Sequence, residues 1–254
     1  MAGELLRILI NHPNVDIQAL VAPRYKGMGA ESVHHGLVGE RRLVFTDQAD
    51  FSKLDFLFIL DPGLDLSSLP DQLKWVDMSG RKYSEMPEDV VYGLSEAFRK
   101  PLVRGARHAF LPNPVASAAL IALNPLALNL LISGDVKVES SLPDSIIKTG
   151  AIPFLEGASD EIKAVLPQIQ TSFSGEVACG APEDSGSQRA MRVSVTIRCG
   201  MDIADLMPVF EKVYDDHNFT FMTTTRMENK EVEGTHKCLL RLSRPDFFTL
   251  KIEA

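Results

Sequence analysis

The sequence predicts an α/β chain in two parts: an incomplete parallel sheet, followed by an α+β domain with an antiparallel sheet. Three observations lead there. Short apolar strand candidates alternate with short helices over the first 110 residues. From about residue 190 the chain turns to strands that alternate apolar and polar side chains, as Met191 to Arg198 (MRVSVTIR) does. With 254 residues, 45% of them hydrophobic, it has material for a sizeable core. The boundary is expected near residue 112, dividing the chain into 1–112 and 113–254.

Residues 3 to 11 form an amphipathic helix with Leu5, Leu6 and Leu9 on one face, stopped at His12-Pro13. Val15 to Ala22 follows as a strand, then a glycine-containing loop from Arg24 to Gly29. Further strands are expected over Leu43 to Thr46, Phe56 to Leu60, Leu73 to Met78 and Arg107 to Leu111. The second of these is apolar enough to be covered on both faces. A long helix is expected from Pro114 to about Leu131, and Val136 to Glu139 as a strand. Residues 140 to 158 read as irregular. Ser159 is expected to cap a helix to Gln168, with Asp160 and Glu161 in its first turn. Met191 to Arg198 should be a half-exposed strand. Asp202 should cap a helix to Asp215 that carries Pro208 as a fault, and three strands finish the chain, Phe219 to Thr223, Lys237 to Ser243 and Phe247 to Ile252.

Composition narrows the function classes. Twenty-six Lys and Arg stand against 34 Asp and Glu, a formal charge of −8, which excludes a phosphate backbone as partner while leaving small anionic metabolites open. The three cysteines, Cys179, Cys199 and Cys238, lack metal-ligand or disulfide spacing and read as structural, so no metal is assigned and a reducing, cytoplasmic setting is expected. The charge-free run from Ala109 to Gly134 contains three prolines and three asparagines, which argues for a buried helix over a membrane span.

A parallel sheet entered through a helix is unusual. In dinucleotide-binding folds a strand and a Gly-rich turn come first, and that turn cradles the pyrophosphate. Here only Gly3 stands where such a turn would end, so the first strand and the cradle are expected to be missing.

Several segments then follow in a particular order: Gly3-Glu4-Leu5-Leu6-Arg7-Ile8-Leu9, Asn11-His12-Pro13, Val76-Asp77-Met78-Ser79-Gly80, Tyr92-Gly93-Leu94-Ser95-Glu96, Asn113-Pro114 before the long helix, and Asp160-Glu161-Ile162. Together they resemble the N-acetyl-gamma-glutamyl-phosphate reductase family of arginine biosynthesis, itself similar to aspartate-semialdehyde dehydrogenase. The resemblance runs from Ala2 to about Ile252 and implies a Rossmann-like fold and an NADPH-dependent reduction of an acyl phosphate. In that reaction a cysteine thiolate at an Asn-Pro-Gly-Cys turn attacks, phosphate leaves, hydride reduces the thioester, and a histidine is acid and base.

The departures fall on this chemistry. Asn113 and Pro114 match the turn, but the next residues are Val115-Ala116-Ser117, as though Gly-Cys were deleted. Ser117 is a conceivable stand-in or an ordinary N-terminal helix serine. No histidine occurs between His108 and His217, and the segment expected to hold one reads Leu155-Glu156-Gly157-Ala158-Ser159-Asp160. A closing helix would follow Ala254. No catalytic residue is therefore assigned.

What the resemblance leaves is binding. Arg24 and Lys26 would suit a 2′-phosphate, hence NADP, or be a solvated loop. Ser79 goes with them as a cofactor residue. Asn113, Ser117 and Arg189 fall in the substrate region, where Arg189 could fork onto a carboxylate or phosphate or simply flank a strand. His34-His35-Gly36 resembles a surface segment of the family and His236 reads as structural. Three functions stay open: a degenerate member that binds a ligand or pairs as a homo-oligomer or with a full-length homologue; an oxidoreductase with relocated groups; or a structural protein using an open sheet edge.

Overall fold

The computed structural model describes residues 1–226 and 228–254, and at Thr149 the backbone alone. The chain divides into two compact units, Met1–Ser79 and Gly80–Ala254.

In the first unit, α1 (Ala2–Ile10) ends just ahead of Pro13, and its Leu6 enters a small core with Ala30, Leu37, Leu43 and Phe45. Strand β1 (Leu20–Val21) pairs in parallel with β2 (Phe45–Thr46), on either side of the single-turn helix α2 (Ala30–Val33). Strand β3 (Phe56–Ile59) pairs in parallel with β4 (Lys74–Asp77). The parallel pairing expected of this half is present. Two expectations change. The strand predicted over 15–22 shrinks to two residues, because a turn at His12 to Val15 precedes it and only Leu20 and Val21 find partners. Strand β3 is not covered on both faces: it is an edge strand, only Ile59 is buried, and Phe56 is 43% exposed against the ring of Phe58.

In the second unit, β5 (Val91–Tyr92) and β6 (His108–Phe110) pair in parallel around α3 (Ser95–Val103), which kinks at Phe98 ahead of Pro101. Then come α4 (Pro114–Leu128), β7 (Ser133–Leu142), α5 (Asp144–Ile169), β8 (Val177–Asp184), β9 (Arg192–Arg198), α6 (Ile203–Tyr214), β10 (Thr220–Met222), β11 (Cys238–Asp246) and β12 (Thr249–Glu253). The last six strands form one sheet in the order β10-β11-β12-β9-β7-β8. Its four central strands are antiparallel, and each edge strand is added in parallel, so the sheet is mixed. Strand β9 is half exposed as expected: Val193, Val195 and Ile197 are buried on one face, while on the other Arg192 and Thr196 are partly exposed, Arg198 is exposed and Ser194 alone is buried.

Helix α4 is buried on nearly every side, from Val115 and Ala116 through Leu120 and Leu123 to Ala127. That explains an apolar run without a polar face. Pro125 cannot donate to the carbonyl of Ile121 four residues back. The hydroxyl of Tyr214, at the end of α6, donates to that carbonyl instead at 2.5 Å. The freed acceptor is satisfied by tertiary structure.

The segment 140–158 is not irregular. Ser140 and Ser141 complete β7 against Val193 and Arg192, and residues 144–169 are helical. Gly150, at φ +135°, divides this helix, so that Pro153 falls in the first turn of the second segment, where no N–H is required. Burial of Leu155, Ala158, Ile162, Val165 and Leu166 outweighs the weak propensity of Gly and Ser. Ser159 is therefore no cap. It lies inside the helix and donates to Val177 O on β8 at 2.9 Å. Asp202 stands at the N-cap of α6 without a capping side-chain bond; its carbonyl accepts from Asp205 and Leu206. Among the described residues no helix is long and apolar enough to cross a membrane.

Gly93 donates to Phe110 O at 2.9 Å, and a Cβ on it would lie 2.4 Å from that same oxygen. Gly93→Ala should lower stability by about 1–3 kcal/mol in urea unfolding. Gly157→Ala, in open space on α5, should be neutral or stabilising by about 0.5–1 kcal/mol.

Candidate functional site

The N-terminus of α4 is built around Asn113. Its Oδ1 accepts from the backbone of Val115 (2.9 Å) and Ala116 (3.4 Å), capping the helix, and its Nδ2 donates to Phe154 O on α5 at 3.1 Å. The Asn113 backbone N–H donates to Glu161 Oε1 at 2.8 Å, and the Tyr92 hydroxyl donates to that same oxygen at 2.5 Å. One carboxylate oxygen thus joins β5, α4 and α5. Glu161 is 6% exposed. Burial pushes its carboxyl up to about 7 against the pull of the two hydrogen bonds. Burial and the neighbouring carboxyl hold the Tyr92 phenol far above its usual range. The rings of Tyr83, Phe98 and Phe110 pack on Tyr92, and beside them opens a largely apolar pocket of ≈ 510 Å³ lined by Tyr83, Met86, Pro87, Phe98 and Gln168.

Asp160 and Glu161 do not sit in a first turn, then. They lie mid-helix, one exposed and the other buried. Composition and motif spacing did not single out Glu161 or Tyr92 as a pair. A signal existed, because Glu161 falls on the stripe of Ala158, Ile162 and Val165, all fully buried.

No thiol stands in the turn after Asn113. Ser117, half-buried in the first turn of α4, donates its backbone N–H to Asn113 O at 2.8 Å, and no base among the described residues bonds its hydroxyl. Cys179 lies on β8 and Cys238 starts β11; burial raises their thiols to about 11 and about 12. Cys199 is buried just past β9. Thiols at the first two values are protonated at neutral pH and so poorly nucleophilic.

Asn113 and Ser117 come together at one helix end. Arg189 lies elsewhere in the second unit, exposed in the loop before β9, its backbone N–H shared between Ser187 Oγ and Glu233 Oε1. The other three candidates belong to the first unit. Arg24 lies over the Tyr25 ring, 5.0 Å from its centroid, and Lys26 pairs with Asp47 at 2.5 Å. Ser79 turns both its N–H (2.9 Å) and its hydroxyl (2.7 Å) onto Asp77. As placed, Lys26 pairs with Asp47 and the Ser79 donors with Asp77, so a 2′-phosphate at this loop would meet Arg24 and compete with Asp47 for the Lys26 ammonium. His34 packs edge-on against Phe45, and His236 against Phe219.

The raised Glu161 carboxyl has a direct consequence. The folded chain keeps a proton that the unfolded chain releases at about 4.5, so its contribution is full below that pH and is lost as pH rises through about 7. Unfolding measured between pH 4 and 8 should show a decline of about 3 kcal/mol from this group. Glu161→Gln, which still accepts both hydrogen bonds, should flatten it. Asn113→Ala should cost about 1 kcal/mol through loss of the cap, and more if the bond to Phe154 O is not replaced.

Curated relatives match nearly the whole chain. The N-acetyl-gamma-glutamyl-phosphate reductase of Parabacteroides distasonis is 31% identical over 268 residues, covering 96% of this chain and 83% of that protein. That of Phocaeicola vulgatus is 29% identical over 266 residues, with 96% and 82% covered. Among solved structures, a probable aspartate-semialdehyde dehydrogenase from Pseudomonas aeruginosa shares the fold at TM-score 0.63 and 15% identity, covering 98% of this chain and 86% of that one. An aspartate semialdehyde dehydrogenase with NADP from Candida albicans does so at TM-score 0.64 and 12% identity, covering 97% and 88%. No protein-family model matches. With its fold shared by the aspartate-semialdehyde dehydrogenases and its sequence matched over 96% of its length by these reductases, the chain belongs to the N-acetyl-gamma-glutamyl-phosphate reductase family.

Proposed function

We propose that this family member has lost the reductase reaction and acts by binding a small anionic metabolite or by pairing with another subunit, a copy of itself or a full-length homologue. One observation carries this: the first turn of α4 offers Val115, Ala116 and Ser117 and no sulfur. The family reaction needs a thioester, because a thiolate is the strong nucleophile and its acyl ester accepts hydride. A serine without a base forms an acyl ester slowly, and the oxygen ester accepts hydride poorly. Glu161 is no substitute nucleophile, since its buried carboxylate is engaged by Tyr92 and Asn113. The acid/base histidine has no counterpart where the resemblance would put it; Ala158 and Ser159 are buried in α5 there.

The pairing of Lys26 with Asp47 and of Ser79 with Asp77 argues against NADP as that anion. A nucleotide that binds would have to displace at least one of those acids.

A functioning oxidoreductase with relocated groups is the second reading. It needs one of the three thiols, and the raised values of Cys179 and Cys238 count against it.

The test is NADPH oxidation by the purified chain with N-acetyl-gamma-glutamyl phosphate, together with NADPH titration by fluorescence. No acyl-phosphate-dependent oxidation is expected. Turnover at the rate of a working reductase would overturn the proposal, and its loss in a single Cys→Ser variant would establish the second reading.

A further inference from the structure

Beyond that reading, an arginine in the second unit is left with an unsatisfied edge. Arg244 lies near the end of β11, before the turn into β12. Its Nη1 donates to Cys199 O and to Phe247 O, both at 2.9 Å, and these two bonds hold the guanidinium plane in place. Its Nε and Nη2 are buried, and neither meets an acceptor among the described residues.

These two atoms are not an arbitrary pair. They form one side of the guanidinium, where two N–H bonds run parallel at the spacing of two carboxylate oxygens. The acid closest in sequence is occupied elsewhere. Asp246 accepts from the Phe248 N–H at 2.9 Å and from Thr249, and these bonds hold its carboxyl below the usual range with only a lesser pull from Arg244. Buried N–H groups that meet no acceptor are costly, whatever weaker attraction Asp246 supplies at longer range. Next to it, Phe247 and Phe248 are 73% and 64% exposed, their rings meeting edge to face with centroids 5.1 Å apart. Exposed aromatic rings beside an arginine are a combination enriched at binding hot spots.

We propose that Arg244 is a carboxylate-binding site, taking up through Nε and Nη2 a carboxylate whose apolar body lies on Phe247 and Phe248. The edge is closed to solvent, so entry requires the exposed Phe247–Phe248 turn to open, with Arg244 giving up its bond to Phe247 O and keeping the one to Cys199 O. The carboxylate comes either from a free small acid or from an Asp or Glu beside an apolar residue of a second polypeptide. Both present the same two oxygens.

The experiment follows the Arg244 Nε–H resonance, assigned by its disappearance in Arg244→Lys, during titration of the intact chain with 3-phenylpropionate, acetate and chloride at constant ionic strength. The expected result is a saturable shift with 3-phenylpropionate, weaker by about tenfold for acetate, which lacks the apolar body, and absent for chloride. Phe247→Ser with Phe248→Ser should bring 3-phenylpropionate down to the level of acetate; this double variant tests the site even if Arg244→Lys does not fold. No shift with either acid, or an equal shift with chloride, overturns the proposal. Sedimentation separates the two sources: self-association reversed by 3-phenylpropionate assigns the carboxylate to another copy, and acid binding to a chain that does not self-associate assigns it to a free small acid.

Discussion

Glu161 Oε1 accepts from the Tyr92 hydroxyl and from the Asn113 backbone, and the second unit is organised around that one oxygen. A carboxyl removed from water is unfavourable in its charged form, and two donors on one oxygen are the structural compensation. Tyr92 is thereby placed among Tyr83, Phe98 and Phe110, and Asn113 is oriented so that its side chain can cap α4 and reach Phe154. The start of the most buried helix is thus set by a residue 48 positions away. Ion pairs at the surface, such as Arg41 with Asp16, add little by comparison because both partners are well solvated.

The same logic recurs at the other end of α4. Pro125 leaves the Ile121 carbonyl without its helical donor, and Tyr214 supplies one. A proline in a fully buried helix would otherwise strand a polar group where water does not reach. Arg244 is the contrasting case, a buried guanidinium edge left without an acceptor among the described residues. Satisfied groups explain the framework; Arg244 differs from other unsatisfied buried atoms, such as Ser140 Oγ and Thr220 Oγ1, in carrying a charge beside two exposed rings.

On the proposed reading, family membership and family chemistry separate in this molecule. The apolar framework, the Asn113 cap and the Glu161 junction are architectural. The chemistry that the family resemblance implies rests on one sulfur at the head of one helix, whereas Leu120, Leu123 and Leu126 are fully buried whatever residue stands there. An architecture is sustained by many small contacts; a mechanism rests on few atoms.

Periodicity and punctuation made α1, α4 and the central strands legible, because Leu6, Pro13 and the alternation of β9 act locally. Order of motifs made the family legible. Residues 140 to 158 were misread because Gly150, Pro153 and Gly157 disfavour a helix locally, whereas burial of Leu155 and Ala158 against the rest of the unit favours one more strongly. Strand β8 and the parallel edges of the sheet were equally out of reach, since pairing such as Val136 with Val177 joins residues distant in the chain. The chain's own letters therefore determined which segments can offer a thiolate or an imidazole, since a sulfur or an imidazole is present in a segment or it is not. Only the tertiary structure decided which polar groups are answered, because whether Glu161, Ile121 O or Arg244 finds a partner depends on what folding brings within hydrogen-bonding distance.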